Sequence, residues 1–583
     1  MSDRSTRPDK STPRHTVRAA DYGLALGLAL AYVGLLVATE PDLAMSRDES
    51  FYVTAAEDYA AWFELLAEDS DAALQRSAID QAWDYNSEHP PLAKTAFALS
   101  WLAHKHLGVF QRDALAHRFP AMLAAGMLLV VIYLFGARVF GRQAGVFAAV
   151  TFALLPRFFY HAHLNAFDVP ITLMITWTTY CYWRSLTRPW WALMTGVAFG
   201  LALATKHNSW VLPGLFGIHF AWVAWNERSF RRAHPTLPPR VSLVPRWLFS
   251  MALIGPALLV ASWPWLWHDT LTRFGQYAAF HLRHEYYNMA YFGENYFRPP
   301  FPVSFPFVMT AYTVPLTVLL LSALALVERA RTLMPRALLA RFWPAGTYQA
   351  DRRATDVLFV GSLLAPMLMI ALPSTPIFGG TKHWFPAYPF LCLYAGCGFV
   401  RLARLMYPMV APRLGRYGLV KLAGTPMRVA TATLLLAPSA IETVHSHPFG
   451  LSHYTYVAGG VPGAADRGMN RQFWGFTTGS VTAWLSEHLP DGGSVYVCDT
   501  TYQAIDMLQR DGALPRNIHP SPNLATADYV LIHHEHHFAE VEFQAWVAFG
   551  TRTPAHVLTY DGVPIVTIYE NPRRRTRRRS APR

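Results

Sequence analysis

Two carboxylic residues, Asp48 and Glu49, stand side by side just after the first long apolar run, and the run His89, Pro90, Pro91, Leu92, Ala93, Lys94 follows further on. An acidic pair at a membrane exit is costly to keep unless it does chemistry. A carboxylate there can take a proton from an attacking hydroxyl, and a neighbouring acid can orient it, shift its pKa or help to hold a cation. Asp48 therefore reads as a general base and Glu49 as its support. The alternative is structural: acids are also favoured where the first N–H groups of a helix beginning near Ser50 lack partners.

Further chemistry-bearing side chains are scattered along the chain. Asp168, two residues before Pro170, sits where a helix would start, so capping competes with catalysis for it. Lys206, His281, His284, Lys382 and His383 are of the types that meet an anion such as phosphate, whose departure needs its negative charge stabilised. Each of them singly can also be an interfacial residue reaching for water. The acids and the cations gain meaning together only if the fold brings them to one face.

The composition says what must do the positioning. Of 583 residues, 52% are hydrophobic and only 15% charged, against roughly 25% charged in an ordinary soluble domain. Most of the chain therefore reads as membrane-embedded. The net charge of +12 does not point to nucleic acid, because the basic residues gather between apolar runs and in an arginine-rich tail. Cys392 and Cys397, two of four cysteines, are too close within one helix to face each other, and no disulfide framework or metal knuckle is implied.

Lys and Arg near span ends stay on the cytoplasmic side, which orients about eleven spans. They fall near 21–39, 119–137, 143–160, 170–187, 190–205, 209–225, 247–267, 303–327, 356–372, 384–400 and 428–444. The first follows Arg4, Arg7, Lys10, Arg14 and Arg18, which places the N-terminus inside, and it reads as an anchor rather than a cleaved signal. Inside loops carry Arg138 and Arg142, Arg184 and Arg188, Arg228 to Arg246, Arg329 to Arg353, and Arg401 to Arg428. Outside then lie Asp48 and Glu49, the stretch from His161 to Asp168, Lys206 and His207, His281, His284 and Glu285, and Lys382 and His383. The segment 91–107 reads as a helix lying in the interface.

With this layout on the page, the pair Asp48–Glu49 followed by His89, Pro90, Pro91, Leu92, Ala93 and Lys94 resembles the protein O-mannosyltransferase family, glycosyltransferase family 39, of the GT-C fold. The aminoarabinose transferases of bacterial lipid A share that architecture. The resemblance covers about residues 20–400 and is strongest in the first outer loop. It implies an inverting membrane transferase that takes one sugar from a polyprenyl or dolichyl monophosphate. Asp48 then corresponds to the base, Glu49 to its acidic neighbour and Asp168 to the acid of the second outer loop. His89 and Lys94 match the motif of the first loop, as candidates for the donor phosphate. No β-trefoil insertion interrupts the long outer loop, which leaves sugar and acceptor open among glycan, lipid and protein.

A monophosphate ester leaves with little help from a general acid, so charge stabilisation is the larger task. It could come from lysine and histidine side chains or from a divalent cation held by Asp48, Glu49 and Asp168. The organisation expected is a cytoplasmic basic tail (1–20), a GT-C transmembrane catalytic domain (21–444) with a first outer loop (40–118), an extracytoplasmic α/β domain (445–570) and an arginine-rich tail (571–583) that leans on anionic lipid. The α/β domain reads from strands near 494–498, 527–532, 556–560 and 564–569 alternating with helices near 478–488, 501–510 and 538–549. His533, His534, Glu535, His536 and His537 follow a strand, where a loop is the default and metal binding the alternative. The whole is thus a mainly α polytopic protein of the cytoplasmic (inner) membrane with its active site outside. Its partners would be a polyprenyl-phosphate-linked sugar, membrane lipid and an acceptor, with no nucleic acid. Two rival readings are a transporter or flippase of amphiphiles and a non-catalytic relative that presents its soluble domain.

Overall fold

Apolar stretches separated by arginine-bearing turns fold as helices because a helix satisfies its own backbone hydrogen bonds wherever water is absent. A computed structural model describes residues 16–333 and 350–573, apart from residues 234, 237, 240 and 418. The basic residues Arg4, Arg7, Lys10, Arg14, Arg240, Arg336 and Arg341 and the tail beyond Arg573 lie outside the described residues. Every stretch read as a span contains a helix.

Four helical segments are long and apolar enough to cross a membrane among the described residues: Ala19–Asp42, Asp113–Val139, Ala354–Ala371 and Gly380–Gly415. A bent pair, Phe305–Thr313 with Leu316–Ala330, turns by 119° and makes a fifth if counted as one span. The expected eleven are therefore not reached by length and apolarity alone. Proline explains two of the differences. Pro315 interrupts the stretch 303–327, and Pro156 divides 143–160 into Arg142–Ala153 and Pro156–His161. Trp191–Leu203 and Arg246–Ser262 are apolar but short.

Helices pack closely where glycine removes the side chain. A Cβ on Gly396 would lie 2.2 Å from the Ala144 carbonyl, and one on Gly398 2.1 Å from that of Leu321. The two ends of the first helix differ chemically. Near its start, Asp21 is clamped by Arg142 at 2.6 and 2.7 Å and accepts from Tyr133 Oη. Beyond its end the chain enters Arg47–Glu68, whose first turn carries Asp48.

A hairpin of β1 (Met289–Tyr291) and β2 (Glu294–Tyr296) lies in the long loop before Phe305. The C-terminal module holds a five-stranded mixed sheet of β3 (Gly493–Val497), β4 (Ile518–Pro520), β5 (Tyr529–His533), β6 (His556–Tyr560) and β7 (Val563–Glu570) in the order 4-3-5-7-6. β3 runs parallel to β4 and β5, whereas β7 is antiparallel to β5 and β6. Alternation along β5 faces both sides. Tyr529 and Leu531 meet Leu485, Ile505 and Leu508, and Val530 and Ile532 meet Ala545 and Phe549. β4 and the hairpin, three residues per strand, have too little alternation to be read from sequence.

The module is docked on the first outer loop by polar contacts. Arg510 bonds Glu57 at 2.9 Å and Asp113 at 2.7 Å and lies over Trp101. Arg47, next to Asp48, bonds Asp499 at 2.6 Å, and its backbone N–H donates to the Trp474 carbonyl.

Candidate active site

Asp48 is placed by a helix start whose other acid does the capping. Ser46 is the N-cap of Arg47–Glu68, and its N–H donates to Glu49 Oε2 at 2.8 Å in a capping box. Successive helix residues are about 100° apart around the axis. Glu49 therefore turns inward while Asp48 turns to the cleft. Arg118 receives the inward acid and spends all five donors: two on Glu49 (2.8 and 3.0 Å), one on Glu40 (2.8 Å), and one each on the carbonyls of Leu43 (2.9 Å) and Ala44 (2.8 Å). Glu40, Glu49 and Arg118 have no exposure at all.

The Asp48 side chain keeps 24% of its surface exposed and accepts from Lys382 Nζ at 2.8 Å. Arg47 Nε lies 3.8 Å from its other oxygen. Lys382 arrives on a turn that only glycine permits: Gly379 has φ +75°, and a Cβ there would meet Lys382 Cε at 2.6 Å and His383 Nε2 at 3.1 Å. The Lys382 ammonium also stands 4.0 Å over the Trp474 ring. Asp168, buried at the start of Asp168–Ser185, accepts from Lys206 Nζ at 2.7 Å. Two carboxylates and two ammoniums from four separate parts of the chain thus share one centre.

Histidines line the same side. His89 sits between Tyr52 (5.8 Å between ring centroids), Phe167 (4.9 Å) and His281 (6.1 Å). His281 stacks on His207 at 3.7 Å, and one of its ring nitrogens meets the Glu88 carbonyl at 2.8 Å. His284 stacks on Phe378 at 4.8 Å, and His383 meets the same ring edge-on at 4.7 Å. Buried ring nitrogens of His89, His161, His207, His281 and His383 have no hydrogen-bond partner among the described residues. Such a concentration of unsatisfied polar atoms is what a polar ligand would complete.

The charges follow from placement. Burial pushes the Asp48 carboxyl up, but Lys382 and Arg47 outweigh it and hold it below its ordinary range. Asp168 is likewise pushed up by burial and brought lower still by Lys206 and Lys382. Burial lowers His281 to about 4, against the Glu88 carbonyl, and takes His89 well below its usual value. The centre therefore holds ionised carboxylates and neutral imidazoles at pH 7.

Three expectations need correction. Glu49 does not face the cleft; it is locked to Arg118 and Ser46 and holds the helix start. Lys94 does not reach toward a phosphate: it is fully buried, donates to the Asn86 carbonyl at 2.7 Å and lies 5.2 Å from the Tyr59 ring, which fixes the turn before His89. Asp48, Glu49 and Asp168 do not converge as cation ligands, because adjacent helix positions diverge and both cleft acids are already paired with lysine. No group of three or more His, Cys, Asp or Glu side chains is placed to hold a metal among the described residues. His533 to His537 scatter accordingly, with His533 on Thr478 and His534 on Thr567. Sequence reasoning missed Arg47, Tyr52, Arg118 and Asp499. Of these, Arg118 carried a signal as an arginine inside an apolar outer segment.

A small, largely apolar pocket of about 30 Å³ borders this centre at His383. It is lined by Leu212, Leu215, Met369 and Ile370, with Asn208 and His383 among its polar residues.

Residues 88–254 match a family model described as Dolichyl-phosphate-mannose-protein mannosyltransferase. The matched part includes His89, Lys94, Arg118, Asp168 and Lys206 and excludes Asp48 and Lys382. No curated protein matches the chain. Among solved structures the chain is similar to ArnT from Cupriavidus metallidurans in the apo state, at 15% identity over 94% of this chain and 98% of that one, with a TM-score of 0.46. It is similar to the archaeal oligosaccharyltransferase AglB from Archaeoglobus fulgidus, in complex with an inhibitory peptide and a dolichol-phosphate, at 12% identity over 92% and 72% (TM-score 0.44). A third likeness is to the arabinofuranosyltransferase AftD from Mycobacteria, at 15% over 95% and 40% (TM-score 0.40).

Proposed function

We propose that the chain is an inverting glycosyltransferase of the cytoplasmic membrane that moves one sugar from a polyprenyl monophosphate to an acceptor on the outer face. The observation that carries this reading is the Asp48–Lys382 pair beside Asp168–Lys206. The two ammoniums suit the phosphate of a polyprenyl monophosphate. The family-model match over residues 88–254 supports the same class.

In the proposed step, the acceptor oxygen attacks the anomeric carbon while Asp48 takes its proton. The bond between that carbon and the phosphate oxygen breaks, and its electron pair stays with the polyprenyl phosphate. A single displacement inverts the centre. Lys382, resting on Asp48, moves to the phosphate as charge grows there, which frees the carboxylate oxygen to accept the proton. Lys206 adds a second positive charge, and Asp168 keeps it in place. The neutral imidazoles offer N–H donors without requiring a change of charge.

The test incubates purified full-length protein with a panel of radiolabelled polyprenyl-phosphate sugars and a membrane-envelope extract. Transfer of one label by the wild type and none by Asp48→Asn is expected. Transfer by both at equal rates removes Asp48 from the reaction, and no transfer of any label removes the transferase reading.

A further inference from the structure

Away from the Asp48 centre, the hairpin β1–β2, the loop 465–471 and the C-terminal module enclose a cavity of about 300 Å³. Its wall is shaped by a close backbone approach. Gly468 has φ +68°, a Cβ on it would stand 2.2 Å from Gly293 N, and that N–H donates to the Gly468 carbonyl at 2.9 Å. A volume of this size lies at the small end of small-molecule sites.

The lining alternates donors and acceptors over apolar patches. Asn470, Arg471, His534, Glu535 and Glu542 supply the polar groups, and Phe538 supplies an aromatic ring. Arg471 is half-buried and enters no ion pair among the described residues. Glu542 uses one carboxylate oxygen to accept from Tyr569 at 2.7 Å, which leaves the other for a ligand. The acidic Glu542 in the wall opposes an anionic ligand, and the polar lining opposes an acyl or isoprenoid tail. Closely spaced donors and acceptors beside an aromatic face are what a sugar ring requires, since each hydroxyl both gives and takes a hydrogen bond.

The place of the cavity ties it to the reaction. Glu535, in its wall, stands near enough to Asp499 for the two carboxyls to influence each other. Asp499 holds Arg47 at 2.6 Å, and Arg47 flanks Asp48. This chain of contacts runs from the cavity to the base. We propose that the cavity is a subsite for a saccharide unit of the acceptor, bound through its hydroxyls by Asn470, Arg471, Glu535 and Glu542 with Phe538 against its C–H face. The inference rests on the transferase reading and deepens it: the acceptor is a carbohydrate, and the C-terminal module selects it.

Saturation-transfer NMR on the full-length protein in nanodiscs tests this, with the methyl glycosides of glucose, galactose, mannose and glucosamine as probes. At least one glycoside should receive saturation, and Arg471→Ala and Glu542→Gln should each weaken it at least tenfold. Ala539→Leu, which fills the cavity and removes no charge, should do the same with an unchanged melting temperature. Undecaprenyl phosphate binding, measured in parallel, should be equal in all variants. Absence of saturation for every glycoside, or saturation unaltered in all three variants, overturns the subsite. Failure of undecaprenyl phosphate to bind overturns the transferase reading instead. The preferred sugar is then offered as a free glycoside and as a glycolipid headgroup. Tighter binding of the glycolipid assigns a lipid-borne glycan, and equal binding assigns a free one.

Discussion

Lys382 Nζ lies 2.8 Å from Asp48 Oδ2, although the two residues are 334 positions apart. The pairing gives the base and its counter-charge a shared resting state. A carboxylate buried this far would otherwise drift toward its neutral form, and a lysine without a partner would be costly beside Trp474. An incoming phosphate competes for the ammonium, so donor binding and release of the base become one event.

Asp48→Asn is expected to lower transfer by roughly 10²–10⁴-fold, the usual worth of a positioned acid or base. The amide keeps the shape but accepts no proton at neutral pH. The melting temperature should fall, because the nearly buried Lys382 loses its charged partner, while the helix start stays capped by Ser46 and Glu49 and the protein still folds. Initial rates and melting temperatures of the same preparations check both halves.

Lys382→Met is expected to move the acid limb of kcat/KM to higher pH. Burial raises the Asp48 carboxyl and Lys382 is the first of the charges that bring it down, so its removal lets the pKa climb. The active form is the carboxylate, and the wild type should therefore show no Asp48 limb above about pH 4. A group with a depressed folded-state pKa adds stability above its unfolded value, and that contribution is lost as pH falls through the lower folded value. Lys382→Met should therefore also shrink the acid-induced loss of stability. A pH–rate profile that keeps its wild-type limb would separate Lys382 from Asp48.

What could be read in the sequence was set by range. Helical apolar runs, the β3, β5, β6 and β7 strands and the chemistry of Asp48, Asp168, Lys206 and Lys382 are local or compositional signals. The orientation rule collects those four residues on one face without any contact being known. The partners are different. Lys382 with Asp48, Arg47 with Asp499 and Arg118 with Glu40 and Glu49 are joined by packing alone, and no spacing announces them. Glu49 shows the limit best: as the second acid of a pair it looks catalytic, yet the same position is the third residue of a helix opened by Ser46. Periodicity on that helix settles which acid faces the cleft, once its start is known.

Glu49→Gln is expected to damage the fold more than the chemistry. Removing one member of a buried ion pair leaves the Arg118 guanidinium undercompensated, at about 3–5 kcal/mol. The N–H groups of Ser46 and Asn165 also lose a charged acceptor. Melting temperature and the yield of folded protein should fall, while rate per folded molecule drops far less than in Asp48→Asn. A Glu49→Gln protein of full stability and no activity would place Glu49 in the reaction after all.

Asp499 and Glu535 offer a pH signature for the docking of the C-terminal module. Burial, against the pull of Arg47, raises the Asp499 carboxyl to about 6, and burial with Asp499 beside it raises Glu535 well above its normal range. Both carboxyls therefore keep their protons to higher pH than a free carboxyl does. A raised folded-state pKa means that the folded protein binds these protons more tightly than the unfolded chain does. The stabilisation is complete below the unfolded carboxyl value near 4 and is lost as pH rises through about 6. Glu535→Gln removes the carboxyl whose own pKa is raised well above its ordinary range and should flatten this dependence. Between pH 4 and 7 the difference in melting temperature between wild type and Glu535→Gln should change by about 2–4 °C, the scale of 1 kcal/mol in a module of this size. Parallel melting curves for the two proteins would show that Asp499 and Glu535 titrate independently.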